Sequence, residues 1–159
     1  MSNLIIKQRI FSWTDSYDVY DGNYTPRYFV RADLFSIGKT IRIFDKATGE
    51  EVGMIHQKVL ALLKEYEVYL YGEYMGNISK RLSLFIPKYD VDYKNWYLEG
   101  DFFNWDFEIR EGSDLVALIS KKLLTIGDSY VLQIADSRNE LPVLLVALAI
   151  DAAHWSDDN

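Results

Sequence analysis

Cysteine does not occur in this 159-residue chain, which excludes disulfides, thiolate nucleophiles and cysteine metal sites and fits a reducing compartment. Histidine occurs twice, as His56 and His154, far apart in sequence. A two-histidine metal site or a histidine base is therefore the minor reading of either one. No Gly-x-Ser-x-Gly elbow of a serine hydrolase is found. The opening residues, Met1-Ser2-Asn3-Leu4-Ile5-Ile6-Lys7, have no basic region followed by an apolar run, so no signal peptide is expected and the cytoplasm is the expected compartment. Asn23-Tyr24-Thr25 and Asn77-Ile78-Ser79 match the glycosylation pattern, and without secretion those matches are read as chance. No apolar run reaches the roughly 20 residues of a membrane helix.

What the chain does contain is a globular composition. Apolar residues make up 49% and aromatics 15%, with twelve tyrosines and eight phenylalanines that favour strands. The formal net charge is -7, which repels nucleic acid and anionic membranes unless the basic residues cluster. The length predicts one domain over residues 1–159.

One stretch has no polar face: Leu141-Pro142-Val143-Leu144-Leu145-Val146-Ala147-Leu148-Ala149-Ile150. A helix apolar all round must be enclosed on every side. The spacing predicts it over 141–153, with Pro142 in the first turn, alanines keeping it slim, and Asp151 and His154 marking its emergence into water.

The remainder echoes one phrase. Ile6–Ser12, Val30–Ser36, Ile55–Ala61, Ile78–Ser83, Leu98–Phe103 and Ile119–Thr125 resemble one another. Each leads to a second alternating run: Tyr17–Tyr20, Ile41–Phe44, Tyr66–Tyr69, Tyr89–Asp92, Asp106–Ile109 and Tyr130–Ile134. Turn residues separate the units, as in Asp21-Gly22-Asn23, Ala47-Thr48-Gly49 and Arg110-Glu111-Gly112. Six units of two strands predict a mainly β fold, a closed twelve-stranded antiparallel β-barrel without free edges. A barrel wider than about eight strands encloses something, and a helix about 10–12 Å across fits there. The apolar helix is the expected filling, so no ligand cavity is expected in the lumen.

Ile6-Lys7-Gln8-Arg9-Ile10-Phe11-Ser12, Tyr97-Leu98-Glu99-Gly100-Asp101-Phe102-Phe103, Ile119-Ser120-Lys121-Lys122 and Leu148-Ala149-Ile150-Asp151-Ala152 resemble the bacterial, YxjI-like branch of the LURP-one-related family, over about residues 4–155. That family is related to the tubby C-terminal domain and the phospholipid scramblases. The resemblance implies the same barrel around a hydrophobic C-terminal helix. Tubby domains bind phosphoinositides through a basic patch, and scramblases act on lipids with calcium. No residue here carries over from either relative: the chain is acidic, and no calcium loop of spaced aspartates occurs.

Strand parity places Lys7, Arg9, Arg31, Lys58, Arg81 and Lys122 opposite the inward isoleucines, as an outward belt at similar height. Such a belt is an anion- or lipid-binding candidate; the simpler reading is solubilising charges paired with Asp and Glu. Lys80 and Lys121 fall on the inward face and are read as rim residues whose long stems reach outward. Gly38-Lys39-Thr40 lacks the upstream glycine of a phosphate loop, with Asp33 in its place, and reads as a corner between strands. Trp13, Trp96, Trp105 and Trp155 are expected to plug the barrel mouths or to mark a contact surface. Carboxylate pairs such as Asp90/Asp92 and Asp157/Asp158 are expected to be solvated. No catalytic residue, metal ligand or cofactor is assigned. The expected function is a non-enzymatic interaction or scaffold module; the alternative is a peripheral protein that binds anionic lipid headgroups, and a hydrolase ranks third.

Overall fold

The computed structural model describes residues 1–7, 16–33, 37–81, 88–124 and 127–155. Its strands are β1 (Ser2–Lys7), β2 (Tyr17–Asp21), β3 (Pro26–Asp33), β4 (Thr40–Asp45), β5 (Glu51–Gln57), β6 (Glu65–Leu70), β7 (Glu73–Arg81), β8 (Lys88–Val91), β9 (Trp96–Asp101), β10 (Asp106–Glu111), β11 (Asp114–Leu124) and β12 (Gly127–Ile134). A short 3-10 turn (Ser137–Asn139) leads into the helix α1 (Glu140–Trp155). Every strand pairs antiparallel with its neighbours in sequence, and β1 closes the barrel on β12 from Ser2↔Ile134 to Lys7↔Ser129.

Closure leaves the barrel two unlike ends. Even strands finish, and odd strands start, at a hairpin end of tight turns. There the Asp21 carboxylate accepts from the Asn23 and Thr25 amides at 2.8 and 2.9 Å, and the Asp45 carboxylate accepts from the Ala47 amide at 2.8 Å. The opposite, loop end holds the connections after each odd strand. The helix enters at the hairpin end and runs toward the loop end.

All ten residues from 141 to 150 are buried, and Val143 to Ala147 have no exposed surface. They pack against inward strand residues such as Leu4, Ile43, Ile55, Val68, Ile109, Ile119 and Leu132. Gly53 of β5 lets the helix come close: a Cβ there would lie 3.3 Å from Leu145 Cδ2. The predicted architecture and the central helix are therefore present, with the helix extended to 140–155.

The odd strands lie earlier than predicted. β5 ends at Gln57 rather than Ala61, and β9 at Asp101 rather than Phe103. Each echoing phrase straddles the end of its strand; several of the predicted ends, including 8–12 and 34–36, lie outside the described residues. A register shift near the hairpin turn inserts one extra residue into β3, β5, β7 and β11. That bulge breaks the two-residue period where those strands begin, so the alternation legible in sequence starts only beyond it.

Candidate functional site

The loop end collects most of the cations. Of the ten lysines, all except Lys46 and Lys94 lie in or beside the strand ends that meet there. The hairpin end holds Asp21, Asp45, Glu50, Glu73, Glu111 and Asp136 among its carboxylates. Arg27, Lys46, Lys94, Arg110 and Arg138 also lie at the hairpin end and Asp33, Glu65, Asp101, Asp106 and Asp151 at the loop end, so the segregation of charge along the barrel axis is partial.

The predicted belt falls within the loop end, except that Arg9 lies outside the described residues. Lys7 ends β1 and Arg81 ends β7, Arg31 and Lys122 lie two residues from the ends of β3 and β11, and Lys58 follows β5. Arg31 Nε is 3.6 Å from Asp33, Lys58 donates to Glu65 at 2.9 Å, and Arg81 is hydrogen-bonded to Asp90. Lys7 instead sits over the Tyr20 ring, 4.3 Å from its centroid, and the Lys122 side chain is exposed without a partner among the described residues. Exposed ion pairs of this kind are weak and exchange readily for another anion.

The helix C-terminus is held inside this ring. Lys64 Nζ donates to the Ala153 carbonyl at 2.8 Å, supplying one of the partners that a helix end lacks. His154 stacks near Tyr89 (centroids 6.1 Å) and lies edge-on to Phe103 at 5.0 Å. Asp151 and His154 do not stand free in water as predicted; both are only partly exposed, with Tyr89 and Phe103 against the His154 ring. Burial pushes the Asp151 carboxyl up to about 7, and the nearby Lys39 ammonium pulls against that rise. Tyr17 is pushed well above its ordinary value, first by burial and then by Asp151. Burial, with help from Lys64, lowers Lys39.

The feature that sequence reasoning missed is apolar. Leu60 is 99% exposed and Leu62 98%, in the loop between β5 and β6; Ile37 between β3 and β4 is 86% exposed and Phe103 between β9 and β10 is 70%. The β3–β4 and β5–β6 tips are neighbours, and Phe103 lies against the helix end. A Cβ on Gly38 would approach Val59 Cγ2 to 3.0 Å, and Phe103 touches His154. The run Val59-Leu60-Ala61-Leu62-Leu63 between Lys58 and Lys64 held the clue, because five consecutive apolar residues do not alternate.

Other predicted features resolve simply. Gly38-Lys39-Thr40 forms a corner leading into β4, with Gly38 at φ +87° against the Gln57 carbonyl. His56 is half-buried and shares a 2.7 Å hydrogen bond with Thr40. Asp90 is taken by Arg81, and Asp92 accepts from the Asn77 amide at 2.6 Å. Trp96 and Trp105 are buried at opposite ends of the core, the latter 4.3 Å from Tyr130; the side chains of Trp13 and Trp155 lie outside the description. Among the described residues, no three His, Asp or Glu side chains gather as metal ligands, and no helix is long and apolar enough to cross a membrane.

The outer wall over β1–β4 carries two adjoining cavities of about 350 and 360 Å³ that share Phe29 and Lys46. The first is lined by Lys7, Ser16, Tyr17, Asp18 and Tyr20, the second by Arg31, Phe44, Asp45 and Gly49.

The family model described as LURP-one-related matches residues 2–151. The uncharacterized protein YxjI of Bacillus subtilis (strain 168) is 30% identical over 159 residues, covering all of this chain and 98% of that protein. An X-ray structure of an Arabidopsis thaliana protein superposes with a TM-score of 0.60 at 10% identity, over 94% of this chain and 91% of that one. The likeness to the plant protein is one of fold.

Proposed function

This chain belongs to the LURP-one-related family, and on that premise we propose that it acts by binding rather than by catalysis, docking its loop end on an anionic bilayer surface. The observation that carries the reading is the near-complete exposure of Leu60 and Leu62 on one loop between Lys58 and Lys64. Exposed apolar tips rimmed by cations match the two requirements of an interfacial anchor. Moving a leucine out of water contributes about 1.5–3 kcal/mol, and each cation near an anionic leaflet about 1 kcal/mol. Leu60, Leu62, Ile37 and Phe103 with Lys58, Arg81 and Lys122 suffice for reversible attachment. The filled lumen supports the same reading, since it leaves contacts to the outside of the barrel. Because the net charge is -7, attachment relies on local rather than total charge.

Flotation with vesicles of mixed phosphatidylserine and phosphatidylcholine, against phosphatidylcholine alone, tests this. Salt-sensitive flotation on the anionic vesicles is expected. Leu60→Asp/Leu62→Asp should abolish it, and Lys58→Glu/Arg81→Glu/Lys122→Glu should weaken it at least tenfold. Absence of binding to either vesicle rejects the membrane reading in favour of the protein-interaction module.

A further inference from the structure

We propose that the outer wall over β1–β4 binds an aromatic carboxylate, at a site that shares Lys7 and Arg31 with the belt but uses none of the residues of the membrane reading. Three cations there are each held over a ring. Lys7 lies 4.3 Å from the centroid of Tyr20, Lys46 5.3 Å from Phe29, and Arg31 5.2 Å from Phe44. A cation resting on a ring face has already given up much of its rotamer freedom, so an arriving anion orders less.

The cations are not equivalent. Lys46 donates to Asp18 at 2.8 Å, and Arg31 stands 3.6 Å from Asp33. Lys7 has no carboxylate partner among the described residues. Lys46 is matched by Asp18, Arg31 by Asp33 and Asp45 by Arg27, which leaves the Lys7 charge without a carboxylate among the described residues. That balance selects a monoanion and places its charge at Lys7.

The body of the ligand is set by the floor. Phe29 lies in both cavities, and its ring centroid is 6.2 Å from that of Phe44. Both rings are half-buried, although they point away from the barrel core. A flat apolar ring covers this surface, and rings favour offset or edge-on contact at such spacings. Both are open grooves in the outer wall rather than enclosed pockets, so the ring lies against them. The same chemistry arises from a free aryl carboxylate or from a polypeptide ending in an aromatic residue.

Titration of the full chain with phenylacetate, with acetate, and with an acetylated tripeptide ending in phenylalanine tests this by amide chemical-shift mapping. Phenylacetate should give saturable shifts confined to β1–β4, and acetate should bind at least tenfold more weakly. Lys7→Gln and Phe29→Ala should each weaken phenylacetate at least tenfold, whereas Lys122→Gln and Leu60→Asp/Leu62→Asp should leave it unchanged. Equal affinity for phenylacetate and the peptide identifies a free ligand; tenfold tighter binding of the peptide identifies a chain terminus. Scattered or non-saturable shifts, equal binding of acetate, or indifference to Lys7→Gln overturns the proposal.

Discussion

Lys64 and Ala153, 89 residues apart in sequence, meet in a 2.8 Å hydrogen bond from the Lys64 ammonium to the Ala153 carbonyl. The bond ties the β5–β6 loop to the last turn of the central helix. One side chain thus both caps a helix C-terminus, where positive charge is favoured, and supports the loop carrying Leu60 and Leu62. Lys64→Met keeps the stem but removes the donor. Equilibrium urea unfolding should show a loss of about 1.5–3 kcal/mol, the usual range for a hydrogen bond from a charged group. Unchanged stability would show that water replaces the ammonium without loss.

Asp151 predicts an inverted pH dependence. Its carboxyl titrates near 7 in the fold, because burial disfavours the charged form more than Lys39 favours it, against 3.8 as the ordinary value. Between those values the folded chain binds more protons than the unfolded one, so this group's contribution to stability falls as pH rises from about 4 to about 7. Asp151→Asn should therefore stabilise the fold at pH 8 by on the order of 1–3 kcal/mol, with the gain vanishing below about pH 4. Urea midpoints of both proteins at pH 4, 6 and 8 measure this. A gain that is equal at all three would remove the titration explanation.

The enclosed stretch of the helix, 141–150, admits no charge. Leu145 has no exposed surface and Leu148 is 1% exposed. Placing a carboxylate at either position, unpaired, costs on the order of 5 kcal/mol or more, against a total stability of about 5–15 kcal/mol for a domain. Leu145→Asp and Leu148→Asp should each yield insoluble or unfolded protein by circular dichroism and gel filtration. A soluble, cooperatively melting monomer would refute the enclosed helix.

Two glycines separate steric crowding from backbone conformation. Gly100 has φ +132°, and a Cβ there would lie 2.5 Å from the Asp106 carbonyl oxygen and 2.6 Å from Phe107 Cα, both backbone atoms. Gly72 has φ +81°, with nothing within 4 Å. Gly100→Ala should cost about 3 kcal/mol or more, and Gly72→Ala about 1 kcal/mol. Thermal melts of the pair check the ordering; equal losses would mean that strand β10 moves aside freely.

The parts of the fold legible in sequence are those where one physical constraint acts alone. Residues 141–150 read as an enclosed helix because nothing in them tolerates water, and Asp21 and Asp45 mark turns because their carboxylates replace backbone partners. The first halves of β3, β5, β7 and β11 were hidden because a bulge shifts the alternation out of phase. The loop end was half legible. Parity located the cations, yet Leu60 was read as strand, since an exposed apolar loop and a buried strand share the same residue types. Phe29 and Phe44 look like core residues by type, although each shares strand parity with an outward arginine, Arg31 or Arg42, and the two strands pair in that register.

Separating the lysines from the acidic turns gives the barrel a lasting electrical polarity along its axis. Close to a negatively charged sheet, within about a Debye length, the field pushes on the total charge and also exerts a torque on that polarity. That torque turns the lysine end toward such a sheet, even while the summed charge is pushed away. Raising the ionic strength erases that alignment before it touches the greasy contacts.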